Sequence, residues 1–259
     1  MSDELINQVM AQVMQRMGGN GPAAEAAPTR PPSTEFVGTR TVGDTIGLVI
    51  ANVDPQLLEQ LKPEEPFRSI GIIGSRTGAG PHLFAADEAV KATNTEIIRI
   101  ELPRDTKGGA GHGSLIIFGA DDVSDARRAV EVTLEDVERT FGDVYGNDAG
   151  HLEFQYTARA SHALNKAFGA PVGKSFGILV GAPAAIGIVL ADTAVKASTV
   201  DVVSFSTPTQ GNSLTNEVTL TFTGDSGAVR QAVIAAREAG IPLLESLAGP
   251  AASTTTPYI

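Results

Sequence analysis

The segment whose composition best suits it to bind a small molecule is the glycine-rich run GGAGHG at residues 108–113. Backbone N–H groups in such a run can cradle a phosphate when the run opens a helix. Here the run joins two predicted strands, so neither a helix dipole nor a nest of N–H groups is assured. Two interpretations stay open: a loop lining a narrow passage, whose backbone groups hydrogen-bond a diol or water, or an ordinary hairpin turn.

Two further segments are similar in composition to anion-binding loops. GAPVGKS, at residues 169–175, is one residue short of a P-loop and leads into a predicted strand, whereas a P-loop leads into a helix. SRTGAGP, at residues 75–81, links a strand to a helix, and turn chemistry explains it about as well as anion binding does. We therefore predict no bound nucleotide and no other cofactor.

Residue types that carry metal or nucleophilic chemistry are sparse. The four histidines, at positions 82, 112, 151 and 162, have no spacing typical of metal ligands, and the chain has no cysteine. It contains no Gly-x-Ser-x-Gly elbow, and no acid/base pair stands out. Acidic residues such as Asp121 and Asp225 fall at predicted helix starts, where capping accounts for them. We expect no metal site, no catalytic residue and no enzymatic activity.

The composition is that of an acidic globular protein. Of the 259 residues, 42% are hydrophobic and 19% are charged, and the formal net charge is -11. This charge, without a Lys/Arg run, argues against nucleic acid and anionic membranes as partners. Asp3 and Glu4 stand where a secretory signal carries positive charge, and no apolar stretch reaches the roughly 18 residues of a membrane span. The expected compartment is the cytosol.

The glycine-rich run lies in a first unit that alternates strands and helices. Apolar runs bounded by turn residues predict strands over residues 45–53, 69–74, 96–102 and 114–118. Helices are predicted over residues 54–61, 81–93 and 121–141. The glycine-rich run therefore connects the last two strands of the unit.

A second unit follows the same order. Its strands are predicted over residues 151–157, 175–180, 201–205 and 217–222. Its helices are predicted over residues 160–168, 184–198 and 226–240. The octapeptide ADEAVKAT at residues 86–93 recurs as ADTAVKAS at residues 191–198, a shift of 105 residues. A register shared over so many elements indicates duplication of one domain.

The duplication defines the expected domains. We predict a first domain over residues 41–147, a second over 148–250, and a tail over 251–259. Before them, residues 1–40 contain an amphipathic helix, ELINQVMAQVMQRM, and an Ala/Pro-rich flexible linker. Its apolar, Met-rich face favours docking onto a partner, with a frayed terminus as the alternative. The docking candidates on this face are Ile6, Val9, Met10 and Val13.

The repeated pattern resembles a known family. The helix ADEAVKATN, the strands EIIRIE and SLIIFG, and the acid-capped helix DVSDARRAV resemble the bacterial microcompartment shell domain, as do their counterparts in the second unit. In both units, the strand and short helix that usually end this domain come first, so both copies look circularly permuted. The resemblance implies an α/β (α+β) fold of two tandem permuted domains, each a four-stranded, mainly antiparallel sheet with helices.

Longer runs, such as GDTIGLVIANVD and IELPRDTKGGAGHGSLII, are similar to the trimeric shell proteins of propanediol-utilisation compartments. That resemblance implies a homotrimeric, pseudo-hexagonal tile that packs edge to edge with other shell proteins around enzymes in the lumen. Small polar metabolites such as 1,2-propanediol or glycerol would cross it through pores. The alternatives are an α/β enzyme or a small-molecule binding protein of unknown substrate.

The family resemblance and the two corresponding loops together indicate candidate site residues. Lys91 and Lys196, at equivalent places in the two copies, are candidates for the tile edge, with a solvated surface lysine as the alternative. The candidates for lining a pore are small or polar residues of the two corresponding loops: Lys107, Gly109, Gly111, His112, Ser114, Gln210, Asn212 and Ser213.

Overall fold

The computed structural model describes residues 34–104, 111–211 and 215–259. The docking candidates Ile6, Val9, Met10 and Val13 lie outside these ranges, as do the pore candidates Lys107, Gly109, Asn212 and Ser213. None of the helices within the described ranges has the length and apolar character needed to cross a membrane.

The first unit is built on a five-stranded sheet with the order β1-β2-β3-β5-β4. Its strands are β1 Phe36–Arg40, β2 Thr45–Ile50, β3 Ser69–Ser75, β4 Glu96–Glu101 and β5 Ser114–Ala120. Its helices are α1 Pro55–Leu61, α2 Ala79–Ala92 and α3 Val123–Thr140. Strand β3 pairs with β2 and β5, and β5 pairs with β4, all antiparallel.

The second unit is built on a six-stranded sheet with the order β11-β6-β7-β8-β10-β9. Its strands are β6 Val144–Asn147, β7 Gly150–Thr157, β8 Ser175–Ala182, β9 Val200–Ser206, β10 Val218–Gly224 and β11 Ala252–Ser253. Its helices are α4 His162–Phe168, α5 Ala184–Ala197 and α6 Ser226–Ala248. All of its paired strands are antiparallel.

The mixed α/β fold with antiparallel sheets is confirmed, and each sheet contains the four predicted strands. The sheets are larger than the expected four strands because β1, β6 and β11 extend their edges. Helix ends also differ from the prediction, mostly by one or two residues. Asp122 caps α3 from outside the helix, so α3 begins at Val123, and α6 continues through Pro242 to Ala248.

Helices approach the sheets closely where the strands carry glycine. Helix α3 packs on β2 and β3. A Cβ atom at Gly71 would lie 2.6 Å from the carbonyl oxygen of Ala126, and one at Gly47 would lie 2.5 Å from a methyl group of Val130. Only glycine permits this separation, so the small residues of the strands set the thickness of the layers.

One apolar core crosses between the two units. Leu83 and Phe84 of α2 belong to the same buried cluster as Leu164 of α4 and Phe176 of β8. The rings of Phe84 and Phe176 stack with their centroids 6.3 Å apart. Asp87 of α2 accepts hydrogen bonds from the backbone and hydroxyl groups of Ser161, which caps α4. The units are therefore joined by a continuous buried interface.

The tail is tied to the second unit by a buried carboxylate. Strand β11 pairs with β6, and beyond it the backbone N–H groups of Tyr258 and Ile259 donate to one oxygen of Asp143, at 2.8 and 3.0 Å. The other oxygen accepts from Arg237 of α6 at 2.5 Å. Arg237 also donates to a main-chain oxygen of Ile259. Asp143 therefore links the tail to the helix that closes the unit.

Candidate functional site

The described end of the glycine-rich run is held against the start of α2. The carbonyl oxygen of His112 accepts a hydrogen bond from the N–H group of Ala79 at 3.0 Å. Nδ1 of His112 lies 3.2 Å from the carbonyl oxygen of Leu102, so this nitrogen carries the proton and donates. That contact directs Nε2 of His112 toward the second unit.

Four titratable side chains from both units meet at this point, and we call them the His–Glu cluster: His112, His151, Glu153 and Glu217. Nε2 of His112 lies 3.3 Å from Oε1 of Glu217. Nε2 of His151 lies 3.5 Å from Oε1 of Glu153 and 3.9 Å from Oε2 of Glu217. His151 and Glu153 share a face of β7 because they are two residues apart in a strand. Glu217 immediately precedes β10.

The protonation states within the cluster depend on one another. Burial alone would lower the pKa of His151, but its contact with Glu153 and the charges of Glu153 and Glu217 outweigh burial and raise this pKa above its usual value. Burial would likewise raise the pKa of Glu217, yet His112 and His151 lower it. The arrangement therefore favours an ionised Glu217 beside a readily protonated His151.

Two cavities flank the cluster. One, of about 310 Å³, is lined by Gly111, His112, Glu153 and Glu217 together with side chains of β9 and β10. The other, of about 410 Å³, is lined by His151 and Glu153 together with Gly43, Gly78 and Thr254. Glu153 lines both, so the two cavities adjoin at this carboxylate.

One protein-family model and several known proteins match this chain. The BMC domain model matches residues 69–147 and 175–250, which is more than half of the chain. This chain belongs to the bacterial microcompartment shell proteins. The bacterial microcompartment shell protein PduB of Salmonella typhimurium is 58% identical over 271 aligned residues, covering 100% of this chain and 99% of that protein. The PduB protein of Limosilactobacillus reuteri is 55% identical over 81% of this chain and 88% of its own length.

A solved structure gives the same family. The crystal structure of a trimeric bacterial microcompartment shell protein PduB has a TM-score of 0.85 and 52% identity, covering 88% of this chain and 100% of that chain. The resemblance drawn from the sequence is therefore confirmed. The role is that of a structural shell component, since these relatives are shell proteins and not enzymes.

Of the four predicted pore residues of this shell protein that the structure describes, two line a cavity. Gly111 and His112 line the cavity of about 310 Å³. Ser114 does not; its hydroxyl pairs with that of Ser75 at 2.8 Å across β3 and β5. Gln210 is exposed in a tight turn, where its backbone pairs with Thr207. Gly211 of the second loop lines the same cavity as Gly111 and His112, so the described parts of both loops reach it.

Sequence reasoning missed His151, Glu153 and Glu217 as site residues. No local motif contains them, because β7 and the start of β10 meet the glycine-rich run only in the folded chain. The strand sequence GHLEFQYT does carry a signal: it places the charged residue Glu153 between apolar residues of a mostly buried strand, and Glu153 is itself buried. A buried carboxylate needs a partner, and searching for one would have pointed to the histidines.

The two candidate lysines of the tile edge have different surroundings. Nζ of Lys91 lies 2.8 Å from Asp87 and 2.7 Å from Glu88, and its side chain is mostly covered. Nζ of Lys196 lies 2.7 Å from Asp192, and its side chain is largely exposed. Lys196 is therefore the better placed of the two to reach a neighbouring molecule. Within the described residues, no group of three or more His, Asp or Glu side chains has the geometry of a metal site.

Proposed function

We propose that this shell protein forms a homotrimer, in which three chains supply six domains to one pseudo-hexagonal tile. The domains are those expected from the duplication, over residues 41–147 and 148–250. The observation that carries the proposal is a repeated apolar face. It is buried between the two domains of one chain in the first copy and exposed in the second.

Helices α2 and α5 occupy equivalent positions, 105 residues apart, but differ in burial. Leu83 of α2 is fully buried in the apolar cluster that the two domains share, whereas its counterpart Ile188 in α5 is 48% exposed. The same contrast appears on the strands that follow. Ile97 of β4 is 6% exposed, whereas Val202 of β9 is 53% exposed. Apolar surface of this extent calls for a covering partner.

The complementary surface is present on the first domain. In the second domain, α4 receives α2, and Leu164, three residues after its N-cap, is fully buried. In the first domain, the equivalent helix α1 buries no residue, and Leu57, also three residues after its N-cap, is 46% exposed. If α5 of one chain packs on α1 of the next as α2 packs on α4, the contact is head-to-tail and six domains close a ring.

Replacing Ile188 with glutamate tests this interface. An unpaired carboxylate buried in an apolar contact costs several kcal/mol, so association should weaken by at least about 100-fold. Sedimentation or native mass measurement should show monomers for Ile188→Glu and trimers for the parent chain. Leu247→Glu is the matched control, because Leu247 is comparably exposed on α6 but lies outside the repeated face. Trimers of unchanged stability in Ile188→Glu would contradict the proposed interface.

We also propose that small, uncharged, hydroxylated metabolites such as 1,2-propanediol or glycerol cross the tile beside the His–Glu cluster. The cavity of about 310 Å³ supports this proposal because Ser204, Thr219 and Thr221 add hydroxyl groups to its lining. Hydroxyl, imidazole and carboxylate groups can all hydrogen-bond a diol.

A bulky residue at Gly111 should reduce this traffic several-fold. A Cβ atom at Gly111 would lie 3.5 Å from Nε2 of His151, so the side chain of Gly111→Val would enter the cluster. The backbone there has φ +98°, which itself strains any other residue. Gly173→Val is therefore the control: its φ is +79°, but nothing lies near its Cβ position. Diol consumption by enzymes inside intact shells, relative to broken shells, gives the flux; equal flux in both variants would exclude Gly111 from the path.

The remaining partners of the tile are proposals from the sequence. We propose that Lys91 and Lys196 contact neighbouring shell proteins at the tile edge, for which the exposure of Lys196 is the supporting observation. The docking of lumen enzymes by the face of Ile6, Val9, Met10 and Val13 is proposed on its amphipathic pattern alone.

A further inference from the structure

The His–Glu cluster lies where two cavities of the described chain adjoin. Glu153 lines both cavities, His151 lines one, and Glu217 lines the other, 3.9 Å from His151. Gly111 and Gly80 carry no side chain there; a Cβ atom at Gly80 would lie 2.8 Å from Oε2 of Glu153. The side chains of the cluster therefore border both cavities at the point where the cavities adjoin.

We propose that the His–Glu cluster is a charge filter at the junction of the two cavities, which repels small anions while neutral hydroxylated molecules pass. The filter deepens the proposed transport function and rests on it. Its ligand class is defined by exclusion: carboxylates, phosphate esters and other small anions are held back.

The charge of the cluster supports this selectivity. The cluster contains two carboxylates, from Glu153 and Glu217, and two imidazoles. Its net charge is therefore negative whenever either imidazole is neutral. Charges in a narrow, partly desolvated site act at an effective dielectric constant far below that of water. An anion approaching within a few ångströms is therefore opposed strongly enough to slow its entry by about tenfold or more.

The filter also responds to pH through His151. The charged groups that act on this imidazole are Glu153 on the same strand, Glu217 before β10, and His112 before β5. The two carboxylates raise the pKa of His151 above 6.5, against the effect of burial. Protonating His151 cancels one negative charge, so anion exclusion weakens as pH falls through that raised value.

Cysteine accessibility tests the filter, because the chain has no natural cysteine. Thr219→Cys places a thiol in the cavity of about 310 Å³, and Leu247→Cys places one on the open surface. The probes are methyl, sulfonatoethyl and trimethylammonioethyl methanethiosulfonate, which are neutral, anionic and cationic. At pH 8.5, the anionic-to-neutral rate ratio should be at least about tenfold lower for the cavity thiol of Thr219→Cys than for the surface thiol of Leu247→Cys. Equal ratios at the two sites would overturn the filter.

Variants of the cluster should change either the anionic-to-neutral rate ratio or its dependence on pH. Glu153→Gln and Glu217→Gln each remove a negative charge and should raise the ratio. In the parent chain, the anionic-to-neutral rate ratio should rise as pH falls from 8.5 to 6.5, because His151 gains a positive charge. His151→Gln removes this group, so the ratio should then stay constant over that range. Dividing the anionic-reagent rate by the neutral-reagent rate at each pH cancels the effect of thiol titration, which changes both rates equally. If none of the three substitutions changes the anionic-to-neutral rate ratio or its pH dependence, the filter is also overturned. Because three variants are compared, the test still holds if one of them folds poorly.

The same samples separate this inference from the proposed function. Sedimentation reports the trimer, and the neutral reagent reports access to the cavity. If trimers form and the neutral reagent enters without discrimination by charge, the filter is wrong and the permeable tile stands. If the neutral reagent fails to enter, the passage itself is wrong.

Discussion

Replacing Asp143 with alanine is expected to lower the free energy of unfolding by about 3–5 kcal/mol, as for other buried ion pairs that lose one partner. The carboxylate is fully buried and accepts from Arg237, Tyr258 and Ile259. Its removal takes the carboxylate partner away from the mostly buried guanidinium of Arg237 and leaves two part-buried N–H groups without their acceptor. Urea unfolding at fixed protein concentration measures the loss.

The tail makes this loss distinguishable from general damage. Limited proteolysis of Asp143→Ala should cut within residues 251–259 before the rest of the chain, because the tail loses its anchor while β11 supplies only a short pairing. Asp148→Ala, in the exposed turn between β6 and β7, is the matched control and should change stability by less than about 0.5 kcal/mol. Equal stabilities for the two variants would refute the anchoring role.

The elements that the sequence predicted well are those whose information is local. Helices α2 and α5 were found because apolar spacing is a property of a single segment, and the recurrence of Ala86–Thr93 at Ala191–Ser198 reinforced both. The glycine-rich run was correctly placed between two strands. In that sense, the duplication and its fold could be predicted from residue patterns together with the family resemblance.

What escaped prediction depends on contacts between distant segments. Strands β6 and β11 are short, and they pair across about 100 residues of intervening chain, so no periodic pattern marks them. Asp143 looks like an ordinary acidic residue until the tail and α6 meet it. The His–Glu cluster likewise combines residues from β7, from the start of β10 and from the glycine-rich run, whose proximity is a product of the tertiary fold.

His82 is a buried histidine whose ring nitrogens make contacts within the fold. It lies in the first turns of α2, with Nδ1 2.6 Å from the carbonyl oxygen of Gly78 and Nε2 2.7 Å from the hydroxyl of Thr45. Nδ1 must therefore carry the proton. The Thr45 hydroxyl also lies 2.6 Å from the carbonyl oxygen of Val42, so its single hydrogen can be donated either to that oxygen or to Nε2. The edge of Phe141 covers the ring, with centroids 5.5 Å apart. Burial lowers the pKa of His82 to about 4, with its hydrogen bond to Gly78 opposing the shift.

The stability of the protein should consequently fall as pH decreases from about 6.5 to about 4. Between these values the unfolded chain binds a proton at His82 and the folded chain does not, so acid favours unfolding, by an amount on the order of 3 kcal/mol over the window. His151, whose pKa is raised, contributes with the opposite sign and above pH 6.5, so the two effects separate. Urea unfolding across the window should show a shallower pH slope in His82→Asn than in the parent chain. The exposed His162→Asn is the control, and an unchanged slope in His82→Asn would show that another group carries the acid sensitivity.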